Sequence, residues 1–142
     1  MRMSPHLAFL GNCEEAFRFY HHALGGDLVA MVRYGETPAG QGEPALHDKI
    51  AHARLVVGDA VLMGSDCGAD RYAAPGGTMT MIGLDTPEEA ERVFAALSEG
   101  GAVSMPMMET YFARRFGVCK DRFGVPWMVI CEKPMDEACS AA

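Results

Sequence analysis

Long apolar runs are absent from the sequence, and so is an excess of positive charge. No segment approaches the ~18–20 consecutive apolar residues of a membrane-spanning helix, so we expect no membrane association. Residues 1–6 lack the apolar core of a signal peptide, which predicts a cytoplasmic protein. Lys and Arg number 12 against 19 Asp and Glu. This acidic balance argues against nucleic-acid binding, because phosphate contacts need clustered basic residues.

Several motifs of catalysis and cofactor binding are also missing. The sequence has no G-x-S-x-G nucleophile elbow and no G-x-G-x-x-G phosphate-binding turn, as a Rossmann-type cofactor site would need. Its 5 cysteines form no C-x-x-C pair and have no zinc-type spacing with histidine, so we expect free thiols. What remains is a chain of 142 residues, 49% hydrophobic, which is enough for one globular domain with its own core.

An internal repeat organises the chain. Residues 11–20 align with residues 85–94 at a shift of 74, and each segment leads into a Gly-Gly pair and then an apolar run. Four aligned positions are identical: Glu14/Glu88, Glu15/Glu89, Ala16/Ala90 and Arg18/Arg92. The sequence therefore predicts two copies of one structural unit.

Each copy has the pattern of an amphipathic helix. In the second copy, Thr86 is a good N-cap, Pro87 suits the first turn and Glu89 completes a capping box. In the first copy, Asn12 and Glu15 take the equivalent capping roles. The apolar stripes at helical spacing are Ala90, Val93, Phe94 and Leu97 in the second copy, and Ala16, Phe19, Tyr20 and Ala23 in the first.

Four strand-like segments accompany each helix. They cover residues 7–10, 27–34, 49–57 and 60–64 in the first half, and 78–84, 102–107, 114–120 and 125–131 in the second. We predict hairpin turns at 58–59 and 123–124, a long loop at 35–47, a linker at 67–77 and a loose tail after Lys133. The predicted fold is α+β, with two βαβββ modules, about 5–66 and 78–133, in one domain over 1–142. Its cavity would lie between curved sheets.

Short motifs are spread over residues 5–133, nearly the whole chain. They are FLGNCEEA at 9–16, FY at 19–20, LGG at 24–26, HA at 52–53, LMGSD at 62–66, GG at 100–101, FG at 116–117 and DRFGVPWM at 121–128. With the repeat, they resemble the PhnB-like group of the vicinal oxygen chelate superfamily, which includes glyoxalases, bleomycin-resistance proteins and extradiol dioxygenases. The resemblance implies that fold and a homodimer. Some members are labelled 3-demethylubiquinone-9 3-methyltransferase.

Metal-using members of the superfamily resemble one another in placing His, Gln or Glu ligands on the first and last strand of each module. The corresponding positions here are Pro5, Met63, Met79 and Met128. Proline and thioethers do not hold Ni, Mn, Fe or Zn, so we expect no metal and no cofactor. The thioether sulfurs of the three methionines are soft ligands and could bind Cu(I). We favour the alternative that these methionines line an apolar pocket. A register slip of one residue would bring in His6 without completing a ligand set.

The 11 methionines and the aromatic residues of the last third favour an apolar binding cavity. We predict that it holds a small apolar or aromatic molecule. The predicted lining is Phe9, Met63, Met79, Phe116, Trp127 and Met128. A basic cluster at Arg114, Arg115, Lys120 and Arg122 could hold an anionic group, but a solvated strand face with neighbouring carboxylates is the simpler interpretation.

His52 is the candidate for acid–base catalysis. It lies in the middle of a predicted strand, where alternation places it on one face with Ile50, Arg54 and Val56. A half-buried imidazole can act as a general base near neutral pH. Besides a role in assembly without any chemistry, which the sequence does not exclude, two functional hypotheses therefore stay open. One is a metal-free protein that binds a small molecule, and the other is a superfamily enzyme, with lyase, dioxygenase or transferase-type chemistry, that uses His52.

Overall fold

The computed structural model describes residues 1–140, apart from the side chains of Ala39, Gln41 and residues 138–140. The chain forms two compact units, Met1–Ala73 and a second unit that begins at Ala74. This boundary falls inside the predicted linker at 67–77. Within the described residues, no helix combines the length and the apolar character needed to cross a bilayer.

The first unit is one βαβββ module. Its elements are β1 (His6–Phe9), α1 (Cys13–Leu24), β2 (Asp27–Arg33), β3 (Ile50–Val57) and β4 (Ala60–Asp66). The sheet order is β1-β4-β3-β2, with β1 parallel to β4 and the other neighbours antiparallel. The predicted long loop contains three short 3₁₀ turns, Tyr34–Glu36, Pro38–Gln41 and Pro44–Leu46.

The second unit repeats this architecture. Its elements are β5 (Thr80–Gly83), α2 (Pro87–Ser98), β6 (Ala102–Met108), β7 (Ala113–Lys120), β8 (Pro126–Glu132) and α3 (Met135–Ser140). The sheet order is β5-β8-β7-β6, which is the same topology as in the first unit. The loose tail predicted after Lys133 is wrong, because α3 forms there. Asp136 and Glu137 lie in its first turn, where carboxylates favour a helix N-terminus.

The start of α1 corrects the predicted capping. Asn12 makes no side-chain cap hydrogen bond. Instead, Asp66 Oδ1 accepts hydrogen bonds from the backbone N–H groups of Gly11, at 2.9 Å, and Cys13, at 3.0 Å. Asp66 Oδ2 accepts a third from Ile50 N, at 2.8 Å. One buried carboxylate at the end of β4 thus ties together β1, α1 and β3.

In the second unit, residues close in sequence cap the helix and hold the turn between the last two strands. Thr86 caps α2 as predicted, accepting a hydrogen bond from Glu89 N at 3.2 Å. The β7–β8 turn spans residues 121–125 and contains the predicted turn at 123–124. Asp121 holds this turn, because its Oδ1 accepts from Phe123 N at 2.8 Å and Val125 N at 3.0 Å.

Each helix packs an aromatic ring onto a glycine in its sheet. A Cβ at Gly64 would lie 2.5 Å from a ring carbon of Phe17, and one at Gly117 would lie 2.8 Å from a ring carbon of Phe94. Phe17 is fully buried although the predicted stripe omitted it. The four residues of the α2 stripe are all buried, as predicted. In both units, therefore, the helix covers one face of the sheet.

We expect the Asp66→Asn substitution to lower the free energy of unfolding by about 1–3 kcal/mol, measured by urea denaturation. The amide nitrogen of Asn cannot accept a hydrogen bond, so at least one buried backbone N–H loses its partner. Asp59→Asn is the matched control, because Asp59 is exposed in a two-residue turn that tolerates Asn. Equal stability of the two variants would contradict the structural role assigned to Asp66.

Candidate functional site

Within residues 1–140, each sheet has a face opposite the one on which α1 or α2 of its own unit packs, called here the helix-free face. In β4, Leu62, Gly64 and Asp66 are buried, whereas the alternating residues between them are half-buried. The ring of Phe17 over Gly64 identifies the buried side as the one that α1 covers. Because cross-strand partners share a face, the strand register defines which residues form each helix-free face.

In the first unit, the helix-free face carries one row of neighbours across all four strands. The row is His6, Met63, Arg54 and Ala30. Pro5 precedes β1, and its carbonyl oxygen accepts a hydrogen bond from Met63 N at 3.1 Å. The register therefore places His6, and not Pro5, beside Met63. This is the shift of one residue that the sequence analysis considered for the first strand.

In the second unit, the equivalent row is entirely apolar. It consists of Met81, Met128, Val118 and Met105. Met79 lies one residue before β5, so the residue paired with Met128 is Met81. The predicted position was two residues too early, because a strand register cannot be counted back across the turn that leads into α2.

A second row of the same face adds aromatic character. Phe116 pairs with Ile130 on one side and with Met108 on the other. Its ring lies 5.3 Å from that of Phe112 in an edge-to-face contact. Met81, Met105 and Met108 were not predicted as lining residues. The 11 methionines of the sequence nevertheless indicated an apolar binding surface.

Two of the predicted lining residues lie in the cores instead. Phe9 is buried on the helix side of the first sheet, with its ring 6.3 Å from that of Phe17. Trp127 is buried in the second unit, and its indole N–H donates a hydrogen bond to Asp121 Oδ2 at 2.8 Å. The structure therefore brings Met63, Met128 and Phe116 to the helix-free faces, but not Phe9 or Trp127.

His52 lies half-buried on the helix-free face of the first unit, where it pairs with Val32. The next pair is Arg33 with Ile50, so Ala51 is an extra residue in β3. This bulge turns Ile50 into the core, and the predicted shared face of Ile50 and His52 is wrong. Among the described residues, no side chain or backbone group hydrogen-bonds to the His52 ring.

The residues at the superfamily's ligand positions do not fit a hard metal ion. The first unit supplies His6 and Met63, and the second unit supplies Met81 and Met128. Ni, Mn, Fe and Zn take several imidazole, carboxylate or thiolate ligands, whereas thioethers suit softer ions. In the described part of the chain, no group of three or more His, Cys, Asp and Glu side chains could hold a metal.

Two arginines of the predicted basic cluster contact glutamates. Arg115 Nε lies 2.8 Å from Glu91 Oε1, and Arg122 Nε donates a hydrogen bond to the backbone oxygen of Glu99 at 3.2 Å. These contacts match the expectation of a solvated strand face with neighbouring carboxylates.

A cavity of about 190 Å³ lies in the first unit, and sequence reasoning did not identify it. It is bounded by the long β2–β3 loop, the end of β4 and the segment that follows. Tyr34 donates its hydroxyl hydrogen to the backbone oxygen of Asp66, at 2.8 Å, and burial raises the pKa of this hydroxyl. Arg71 lies 3.4 Å from a carboxylate oxygen of Glu43.

A family model described as 3-demethylubiquinone-9 3-methyltransferase matches residues 1–130. The chain belongs to this family. Protein YjdN of Escherichia coli K12 is 33% identical over 138 residues, which cover 91% of this chain and 94% of that protein. These matches confirm the predicted membership of the PhnB-like group.

Two solved structures are similar over most of their length to this PhnB-like chain. Protein PA1353 from Pseudomonas aeruginosa is 49% identical with a TM-score of 0.83, over 94% of this chain and 99% of that one. A PhnB protein from Bacillus cereus, described as a 3-demethylubiquinone-9 3-methyltransferase, is 26% identical with a TM-score of 0.76, over 92% and 99%.

The fold itself extends to more distant proteins. A glyoxylase/bleomycin resistance protein/dioxygenase domain from Frankia sp. EAN1pec is 15% identical with a TM-score of 0.62, over 94% of this chain and 99% of that one. Similarity at this level concerns the fold alone. It confirms that the PhnB-like chain has the predicted vicinal oxygen chelate fold.

The described cysteines of the PhnB-like chain are free thiols. Burial is the main cause that raises the pKa of Cys13, and the nearby carboxylates of Asp66 and Glu14 raise it further. Burial also raises the pKa of Cys119. Cys67 differs because it is half-buried and lines the cavity of the first unit. The raised pKa disfavours the reactive thiolate at Cys13 and Cys119.

Proposed function

We propose that this PhnB-like protein binds a small apolar or aromatic molecule on the helix-free face of its second unit, without a chelated metal. The observation that carries the proposal is the row Met81, Met128, Val118 and Met105, which crosses all four strands without a polar side chain. A metal-using relative would need hard ligands at the Met81 and Met128 positions.

The exposure of these methionines supports the proposal. Met81 is 55% exposed and Met105 is 41% exposed, so their thioether side chains offer apolar surface that a ligand can cover. Covering apolar surface is worth about 25 cal/mol per Å². Methionine also adapts its shape to a ligand and makes favourable contacts with aromatic rings. The face therefore suits an aromatic molecule better than a sugar or an inorganic anion.

Phe116 and Phe112 extend the surface beside the methionine row. Aromatic side chains prefer edge-to-face or offset contacts with other rings, worth about 0.5–1.5 kcal/mol beyond the buried area. A planar ligand lying along the row would contact thioethers on one side and ring edges on the other. This arrangement orients an aromatic molecule without any charged group.

The methyltransferase activity in the description of the family is not part of this proposal, because the sequence has no G-x-G-x-x-G turn. A Rossmann-type site for S-adenosylmethionine needs a glycine-rich turn between a parallel strand and a helix. Here the backbone N–H groups of Gly11 and Cys13, where α1 begins, are already bonded to the carboxylate of Asp66. The second candidate, an enzyme that uses His52, rests on one half-buried imidazole on the helix-free face of the other unit.

We expect Met81→Gln/Met128→Gln to weaken binding of the neutral fluorescent probe N-phenyl-1-naphthylamine by about tenfold or more. Gln keeps the side-chain length but places a polar amide in the apolar row. Met63→Gln is the matched control, because Met63 occupies the corresponding position in the first unit, and it should change the Kd less than about twofold. His52→Ala should also leave the Kd unchanged.

Unchanged probe affinity in the double variant, with its fold verified by circular dichroism, would contradict the proposal. So would an equal loss of affinity in Met63→Gln.

Metal content provides a separate test of the proposed function. Protein expressed with added Ni, Mn, Fe and Zn salts should retain well below one ion per chain after dialysis, because its donor set is mainly thioether. Mass spectrometry of the elements measures this ratio. Stoichiometric retention of any of these metals, lost together with probe binding after chelation, would overturn the metal-free proposal.

A further inference from the structure

The two modules differ most in the connection between their second and third strands. In the first unit, residues 34–49 join β2 to β3, whereas in the second unit residues 109–112 join the equivalent strands β6 and β7. Connections this long are uncommon in compact folds unless they have a function such as binding. The longer connection is the β2–β3 loop that bounds the cavity of the first unit.

The β2–β3 loop is held in a defined conformation. Its ends are closed by hydrogen bonds from Tyr34 N to Lys49 O and from Gly35 N to His47 O, both at 2.9 Å. A Cβ at Gly40 would lie 2.0 Å from the backbone oxygen of Tyr34, so only glycine fits this approach. These contacts restrict the conformations open to the loop, which otherwise would lose conformational entropy on binding a ligand.

Two side chains at the wall of the cavity offer hydrogen-bond acceptors, Tyr34 and Glu43. The Tyr34 hydroxyl already donates to the Asp66 backbone oxygen, so its remaining lone pairs can only accept. The Glu43 carboxylate also lines the cavity and accepts only. A ligand with an N–H donor, and above all an ammonium group, would match these atoms. Leu46 supplies apolar lining beside them.

The donors on the wall complement this acceptor set. Arg71 presents a guanidinium that prefers a carboxylate, and its Nη2 now donates to both carboxylate oxygens of Glu43, each at 3.4 Å. Both side chains are about half exposed. An exposed pair of this kind contributes little to stability, so a ligand can separate it at small cost. A purely anionic ligand would leave Glu43 unmatched, and a purely cationic one would leave Arg71 unmatched.

We propose that this cavity is a second binding site, for a small zwitterion that carries both an ammonium and a carboxylate group. The ammonium contacts Glu43 and the Tyr34 hydroxyl oxygen, and the carboxylate contacts Arg71. The volume of about 190 Å³ is below the ~300–1,000 Å³ of pockets for drug-sized ligands. It therefore has room for a molecule of the size of a short-chain free amino acid.

The test is a titration of the ¹⁵N-labelled full chain with glycine, L-alanine, L-serine and L-valine, followed by two-dimensional NMR. At least one of them should shift the backbone amide signals of Tyr34, Leu46, Cys67 and Arg71. Acetate carries only the carboxylate of the zwitterion and ethylammonium only its ammonium group. Each should bind at least about tenfold more weakly than the amino acid.

Arg71→Gln and Glu43→Gln should each weaken binding of that amino acid about tenfold. Arg115→Gln is the matched control, because Arg115 forms a comparable half-exposed pair with Glu91 in the second unit, at 2.8 Å. The proposal is overturned if none of the four amino acids shifts these signals. Equal binding of acetate, or an equal loss of affinity in Arg115→Gln, would also overturn it.

Discussion

Each four-stranded sheet has two faces, and its own unit provides one long helix to cover them. On the covered face, Phe17 and Phe94 approach Gly64 and Gly117 so closely that no side chain would fit at these two positions. The side chains of that face are packed against the helix and stabilise the fold. The side chains that can contact a ligand must therefore lie on the opposite face or in the loops, and this constraint organises the whole chain.

The two units meet this constraint in different ways. The first unit has His6 and Arg54 in its cross-strand row and a long β2–β3 loop that encloses a small polar cavity. The second unit has a short connection and a row of methionines and valine. The same module therefore presents polar side chains on this face in one copy and only apolar side chains in the cross-strand row of the other. Both differ from the hard-ligand arrangement of a metal-chelating member.

The sequence predicted the repeat, both long helices and all eight strands, because these depend on local periodicity and capping residues such as Thr86. It also led correctly to the PhnB-like group. The errors arose where distant residues meet. Asp66 caps α1 from more than fifty residues away, and the bulge at Ala51 changes which side of β3 holds Ile50. Neither effect has a local sequence signal.

The candidate sites also combine features that the sequence indicated with features that depend on contacts between distant residues. Methionine abundance indicated an apolar surface, but only the strand register distinguishes Met81 from Met79 as the partner of Met128. The cavity of the first unit brings Tyr34 together with Cys67 and Arg71 through the loop that crosses the end of β4. The length of that loop, compared with residues 109–112, was the available signal for this site.

The most direct test of the central claim is NMR of protein labelled with ¹³C at the methionine methyl groups, during titration with an aromatic ligand. The 11 methionines give one methyl signal each. We expect the methyl signals of Met81, Met105 and Met128 to shift together with a common Kd, while that of Met63 stays in place. Shifts confined to Met63, or spread evenly over all methionines, would contradict binding on the helix-free face of the second unit.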